Sequence, residues 1–240
     1  MKLVDNYMNV ASGALNNEGN IAANILRDNF SIEPNIIFDI GACVGLFSLH
    51  LAKKYPKSNI FSFEPILESY DIFCKNITNN SISNITAINK GLYSEEKTMI
   101  FSLPRPETLR PQVLQADGMP GLGRYTMFND STIKSDRAKP GFIENWDNGV
   151  KKVTASLTTI ENIMLEYNVL SADIVKLDCE GAEIDILNSS EKFFRNSKVI
   201  FAEHHTQFDQ HDELSKTLTR LNYECVVNNG LNRFWVNKKL

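Results

Sequence analysis

The sequence predicts a doubly wound α/β fold, in which helices cover both faces of a mostly parallel sheet. Short apolar runs alternate with helix-like segments along most of the 240 residues, as expected for repeated strand-helix units. Several of these runs end in an acid or a glycine, where a strand gives way to a helix. Near the C-terminus two β-rich runs flank an Asn-Gly step, which indicates an antiparallel hairpin. No repeat, low-complexity tract or linker interrupts this pattern, so we expect one domain over residues 1–240.

Apolar periodicity and breaker residues place the elements in order. The predicted helices are Asn6–Phe30, Leu46–Lys54, Leu67–Asn79, Thr158–Tyr167, Ala182–Phe194 and Asp212–Leu221. The predicted strands are Asn35–Gly41, Ile60–Pro65, Ile85–Asn89, Met99–Leu103, Asp173–Asp178, Lys198–His205, Tyr223–Val227 and Arg233–Val236. Residues 1–33 are expected to form an N-terminal helical cap. Residues 104–150 contain prolines, glycines and aromatics without a sustained period, which predicts an irregular insert.

Composition excludes several classes of protein. The net charge of −4 argues against a nucleic-acid partner held by phosphate contacts. No apolar run approaches the roughly 20 residues of a membrane helix, so we expect no membrane span. The N-terminus lacks the pattern of a secretory signal, and the four cysteines are scattered without paired spacing. The expected location is the cytoplasm, with reduced thiols.

A glycine-containing turn follows the first predicted strand, in the run Phe38-Asp39-Ile40-Gly41-Ala42-Cys43-Val44-Gly45. The spacing differs from the Gly-x-Gly-x-x-Gly of dinucleotide sites, and the turn has no lysine to cradle a phosphate. Glu64 ends the next strand about 20 residues later, where an acid commonly binds ribose hydroxyls. Together these features predict a nucleoside pocket, although a purely structural glycine turn is the alternative.

A second cluster of polar residues lies in the run Ile174-Val175-Lys176-Leu177-Asp178-Cys179-Glu180-Gly181-Ala182-Glu183. Ligands of open α/β sheets bind outside the carboxyl ends of the strands, so Asp178 and Glu180 are placed to meet a substrate. The alternative is that the acids solvate a loop or interact with a helix N-terminus, where negative charge is favoured.

The chain resembles the FkbM-type S-adenosylmethionine-dependent methyltransferases. The resemblance rests on four runs, Phe38–Ser48, Phe63-Glu64-Pro65, Lys176–Glu183 and Phe201–His205. It implies a Rossmann-like, seven-stranded sheet whose last strand is antiparallel. It also implies S-adenosylmethionine as cofactor and methyl transfer to a hydroxyl of a sugar or another small molecule, with a small-molecule or glycan acceptor as partner.

The candidate site residues follow from these runs. The candidate cofactor-binding residues are Asp39, Gly41, Ala42, Gly45, Glu64, Pro65 and Asn89. The candidate catalytic residues are Asp178, Glu180 and His205. Asp178 would accept the proton of the acceptor hydroxyl or orient it, and Glu180 would share that role or hold the turn. His205 falls on the histidine usual in the family and has a suitable pKa for a base, whereas a solvated strand end is the alternative for His204 and His205.

Three further alternatives stay open. A divalent cation bound by Asp178, Glu180, Glu203 and His205 would acidify a hydroxyl, although proton transfer without metal is favoured. The chain would otherwise be a nucleotide-dependent oxidoreductase on the same fold, or a catalytically silent scaffold that only binds the cofactor. The insert carries aromatics and arginines that would suit a substrate lid, with a loop packed by its own side chains as the alternative: Tyr125, Phe128, Phe142, Trp146, Arg105, Arg110, Arg124 and Arg137.

Overall fold

A seven-stranded sheet forms the centre of the structure. The computed structural model describes residues 8–104, 126–127, 143–147, 150–179, 181–204 and 211–240. The strands are β1 (Ile36–Ile40), β2 (Asn59–Phe63), β3 (Ile85–Ile88), β4 (Gly91–Leu92), β5 (Lys97–Pro104), β6 (Thr126–Met127), β7 (Ile143–Asp147), β8 (Val150–Thr158), β9 (Ile174–Leu177), β10 (Val199–Glu203), β11 (Tyr223–Asn229) and β12 (Asn232–Asn237). The helices are α1 (Met8–Phe30), α2 (Leu46–Lys54), α3 (Leu67–Asn79), α4 (Ile160–Tyr167), α5 (Glu183–Ser189), α6 (Glu191–Arg195) and α7 (His211–Arg220).

The order of the central sheet is β11-β12-β10-β9-β1-β2-β3. Strands β3, β2, β1, β9 and β10 pair in parallel, whereas β12 is antiparallel to both of its neighbours. The predicted Rossmann-like sheet with its C-terminal antiparallel hairpin is therefore confirmed. The chain runs outward from β1 to β3 and then returns to β9 on the other side of β1. This reversal creates a topological switch point between β1 and β9, where ligands bind in open α/β sheets.

Helices cover both faces of this sheet because its central strands are apolar on both faces. On one face, Ala22 and Leu26 of α1 and Phe47 of α2 pack with Ile37 and Phe201 of the sheet. The helices α4 to α7 cover the other face around a cluster that contains Phe38, Val175 and Phe193. Helix α1, expected as a terminal cap, thus supplies part of the core on one face.

A second, smaller sheet adjoins the predicted insert, with the order β4-β8-β5-β6 and with β7 paired to β8. Strand β5 matches the strand expected near residues 99–103, but the sequence analysis missed the nine-residue β8. Its signal is a period of two, since Val153, Ala155 and Leu157 are buried in the core of this sheet. Residues of the insert therefore belong in part to regular strands.

The predicted helix over Ala182–Phe194 is two helices, α5 and α6, in the structure. Ser190 leaves the helical conformation with φ −124° and ψ 37°. Its buried hydroxyl donates to Glu161 Oε2 of α4 at 3.1 Å, which ties the break to a neighbouring helix. Within the described ranges, no helix combines the length and apolar character that crossing a bilayer requires.

Candidate functional site

The two predicted motifs meet at the switch point between β1 and β9. Gly41 follows β1 with φ +82°, and the backbone N–H of Asp178 donates to the Ile40 carbonyl at 3.2 Å. A Cβ on residue 41 would lie 1.8 Å from the carbonyl oxygen of Asp178. Glycine is therefore required here by both the positive φ and the close approach of the neighbouring loop. The glycine turn and the acidic run form one contiguous edge.

Glu64 connects the loop after β1 with the loop after β2. Its Oε2 accepts from the Cys43 N–H and its Oε1 from the Ile66 N–H, both at 2.8 Å. The side chain is only 5% exposed, and burial raises its pKa to about 8 against the lowering effect of these two bonds. Each carboxylate oxygen has a second lone pair, so a ligand hydroxyl could bind without displacing either backbone donor.

The other predicted cofactor residues shape the same pocket edge. The N–H groups of Gly41 and Ala42 both donate to the Phe63 carbonyl, at 3.1 and 2.9 Å. From the end of β3, the Asn89 amide donates to the carbonyls of Glu64 and Pro65, at 2.9 and 3.3 Å. The visible role of Asn89 is thus to brace the loop that carries Glu64.

Gly45 begins α2 with φ +84°. A Cβ at this position would lie 1.9 Å from the ring of Phe73, so the glycine lets α2 pack directly against α3. The predicted turn thus has two positions that exclude a side chain, Gly41 beside the Asp178 backbone and Gly45 beside the Phe73 ring.

Asp39 lies beneath the pocket edge. It is fully buried, and its Oδ2 accepts from the Ser48 hydroxyl at 2.6 Å, while the Ser48 and Ser62 hydroxyls lie 2.7 Å apart. Its Oδ1 lies 3.5 Å from Lys176 Nζ. This predicted cofactor residue is therefore buried against Ser48 of α2 and Lys176 of β9.

Lys176 is a site residue to which the sequence analysis gave no role. It lies in β9 and is 3% exposed. Its Nζ donates to the Gly41 carbonyl at 2.8 Å and lies 3.1 Å from Asp178 Oδ2 and 3.5 Å from Asp39 Oδ1. Burial alone would lower the pKa of this lysine, but Asp178 and Asp39 outweigh burial and raise it. One buried cation therefore links the glycine turn to the acidic run.

A second buried carboxylate organises the acidic run. Glu183 Oε1 accepts from the Cys179 N–H at 2.9 Å, and its Oε2 accepts from the Gly181 N–H at 3.0 Å. Glu183 is 2% exposed, so it holds the turn and is withdrawn from substrate, whereas the Asp178 side chain is 26% exposed. Glu180, predicted to be catalytic, lies outside the described residues.

The end of β10 supplies the remaining polar groups. Glu203 pairs with Asn232 in the ladder to β12, and its charge interacts with that of Lys176. His204 is fully buried and its ring stacks on Trp235, with centroids 6.0 Å apart. A solvated strand end is therefore wrong for His204. His205 lies outside the described residues.

Two cysteines lie in the site loops, where burial controls their chemistry. Burial raises the pKa of the Cys43 thiol to about 12 and raises the pKa of the Cys179 thiol well above its usual value. Both thiols are protonated at neutral pH, and a thiol is a far weaker nucleophile than a thiolate.

The structure describes two of the four side chains predicted to bind a metal ion, Asp178 and Glu203. Among the described residues, no group of three or more His, Cys, Asp or Glu side chains is arranged to hold an ion. Glu180 and His205, two of the four predicted ligands, lie outside those residues. Of the residues predicted for a lid, Trp146 is described only as part of strand β7, and the others lie outside the described residues, namely Tyr125, Phe128, Phe142, Arg105, Arg110, Arg124 and Arg137.

Comparison with known proteins finds methyltransferases among the relatives of this chain. The chain is 29% identical over 177 residues to Methyltransferase sdnD of Sordaria araneosa and 28% identical over 158 residues to Methyltransferase 1 of Beauveria bassiana. These matches cover 68% and 65% of this chain, and they span 63% and 58% of the length of the two relatives.

Among solved structures, a putative caffeoyl-CoA O-methyltransferase from Staphylococcus aureus shares the fold, with a TM-score of 0.50 and 8% identity over 96% of this chain and 91% of that one. The sequence model of the methyltransferase FkbM domain matches residues 39–225, which include the glycine turn, Glu64 and the acidic run. The chain therefore belongs to the FkbM methyltransferase family.

Proposed function

We propose that this protein is an S-adenosylmethionine-dependent O-methyltransferase that acts on a hydroxyl of a sugar or another small-molecule scaffold. The observation that carries the proposal is the contact between the two loops at the switch point. There the partly exposed carboxylate of Asp178 lies beside the glycine turn and is held by Lys176. A cofactor pocket and a polar acceptor group thus share one edge of the sheet.

The cofactor side fits a nucleoside without phosphates. Residues 41–45 carry no basic side chain, and Glu64 keeps lone pairs for two ribose hydroxyls. The turn at Gly41 to Gly45 would hold the methionine end, Pro65 would fix the following turn, and Asn89 would lie toward the adenine. S-adenosylmethionine, when bound, supplies an electrophilic methyl group on a sulfonium ion.

The acceptor side requires positioning and removal of a proton. Methyl transfer is accelerated mainly by holding the nucleophile in line and at near-attack distance. Asp178 is suited to orient the acceptor hydroxyl because the ion pair with Lys176 holds its carboxylate in place. Glu180 and His205 remain predicted partners at this edge.

All four cysteines are free, which supports the predicted reducing, cytoplasmic location.

Calorimetry with S-adenosylhomocysteine tests the cofactor assignment. We expect wild-type protein to bind it and Glu64→Ala to bind at least about tenfold more weakly, because the hydrogen bonds from the ribose hydroxyls to a buried carboxyl group are lost. The matched control is Glu68→Ala, which removes an exposed glutamate from the first turn of α3 and should leave the affinity unchanged. Unchanged affinity in Glu64→Ala would contradict the assignment. Thermal stabilisation by NAD in place of S-adenosylhomocysteine would indicate an oxidoreductase.

Transfer of a labelled methyl group to a panel of glycosides tests the reaction and the role of metal. We expect Asp178→Asn to reduce transfer by about 100-fold or more, and we expect a chelator to leave wild-type transfer unchanged. Loss of wild-type activity on chelation, with recovery on adding a divalent cation, would replace proton transfer by metal activation. Cofactor binding without transfer to any acceptor would point to the silent scaffold.

A further inference from the structure

Glu18 brings a carboxylate to the carboxyl edge of the central sheet, beside the proposed acceptor site. It lies outside the segment that matches the family. It lies on α1, before residues 39–225, and its Oε1 accepts from the Asn232 amide at 2.7 Å. Asn232 lies beyond the same segment and pairs with Glu203, the last residue of β10. Since β10 adjoins β9 in parallel, the Glu18 carboxylate is held at the carboxyl edge next to the strand that carries Asp178.

The second oxygen of this carboxylate lacks a donor in the described part of the chain. Glu18 is 9% exposed, and its Oε2 is buried with no hydrogen-bond partner among the described residues. Buried polar atoms in native proteins are nearly always satisfied, so an exception at the edge of a substrate site marks a place where a ligand can supply the donor. A hydroxyl is such a donor.

The charges around Glu18 favour proton transfer. Burial and the negative charge of Asp178 raise the pKa of Glu18 to about 7, while Lys176 opposes this rise. Lys176 and Asp178 face it from the β9 side, and Glu203 lies behind Asn232 at the end of β10. From α2, the His50 ring contacts Asn20, two residues after Glu18 on α1, with 3.2 Å between Nε2 and Oδ1. The Asp178 carboxylate, in contrast, is paired with the ammonium group of Lys176 at 3.1 Å.

We propose that Glu18 is a catalytic residue that binds the acceptor hydroxyl and takes its proton, while Asn232 orients the carboxylate and Asp178 orients the hydroxyl. This inference rests on the proposed function. As the O–H bond breaks, the hydroxyl oxygen forms a bond to the methyl carbon. The carbon–sulfur bond breaks with its electron pair remaining on sulfur, and the proton ends on Glu18. The products are a methyl ether, a neutral thioether and a protonated carboxyl group.

Steady-state kinetics of Glu18→Gln test the proposal with the acceptor found in the glycoside panel. We expect kcat to fall by at least about 100-fold, while the affinity for S-adenosylhomocysteine stays unchanged. We also expect the variant to lose the rise in rate that wild-type enzyme shows as the pH increases through about 7. Glu33→Gln is the matched control, because Glu33 is exposed just after the same helix. If Glu18 had a merely structural role, Glu18→Gln would lower the stability of the protein but would keep the rise in rate near pH 7. A Glu18→Gln variant with near wild-type kcat and the same rise in rate near pH 7 would overturn the proposal.

A second measurement needs no acceptor. In protein labelled with ¹³C at the glutamate carboxyls, the resonance that disappears in Glu18→Gln identifies this group. We expect it to titrate near pH 7, and a midpoint near the ordinary value of about 4.3 would overturn the proposal. Failure of wild-type protein to bind S-adenosylhomocysteine would instead count against the proposed function, so the two failures are distinguishable.

Discussion

Gly41→Ala is expected to lower the free energy of unfolding by about 2 to 5 kcal/mol and to abolish measurable binding of S-adenosylhomocysteine. A side chain at φ +82° costs about 1 to 2 kcal/mol. Relief of the 1.8 Å approach to the Asp178 carbonyl adds about 1 to 3 kcal/mol, since backbone must move. Urea unfolding measures the first effect and calorimetry the second.

Gly230→Ala separates the two contributions. Gly230 also has a positive φ, +76°, but a Cβ there would meet no atom within 4 Å. This variant should therefore show the conformational cost alone and retain cofactor binding. If Gly41→Ala loses no more stability than Gly230→Ala, the close contact between the two site loops is wrong.

Lys176→Met is expected to lower the free energy of unfolding by about 3 to 5 kcal/mol. Removal of one partner from a buried ion pair leaves uncompensated charge, here on Asp39, which is fully buried. The Gly41 carbonyl also loses its donor at 2.8 Å, so affinity for S-adenosylhomocysteine should fall as well. Addition of Asp39→Asn to this variant should restore part of the stability, because it removes the buried charge.

Lys238→Met is the matched control for Lys176→Met. Its ammonium group lies 3.3 Å from Glu224 Oε2, and both side chains are about half exposed or more. Such surface pairs contribute about 0 to 1 kcal/mol, so little change is expected on urea unfolding. Equal losses in the two variants would mean that Lys176 is not the centre of a buried charge network.

Much of the fold and the outline of the site could be predicted because they depend on local pattern. Alternating apolar runs and breaker residues correctly predicted α2 and α3 and the C-terminal hairpin. The positions of Gly41 and Glu64 at strand ends indicated a pocket before any contact was known. Strand β8 was missed because its apolar period is short and it follows an irregular stretch, and the helix break at Ser190 depends on a partner in α4.

By itself the sequence determined the class of fold, the glycine turn, the strand-end carboxylate of Glu64 and the acidic run. These features depend on residues whose conformational preferences act over only a few positions along the chain. Only the tertiary structure decided that Lys176 lies among Gly41, Asp39 and Asp178, that Glu183 secures a turn, and that Glu18 reaches the carboxyl edge of the sheet through Asn232. The physical reason is distance along the chain. A buried charge is tolerable only beside its partners, and residues 18, 39, 176 and 232 become neighbours only when the sheet assembles.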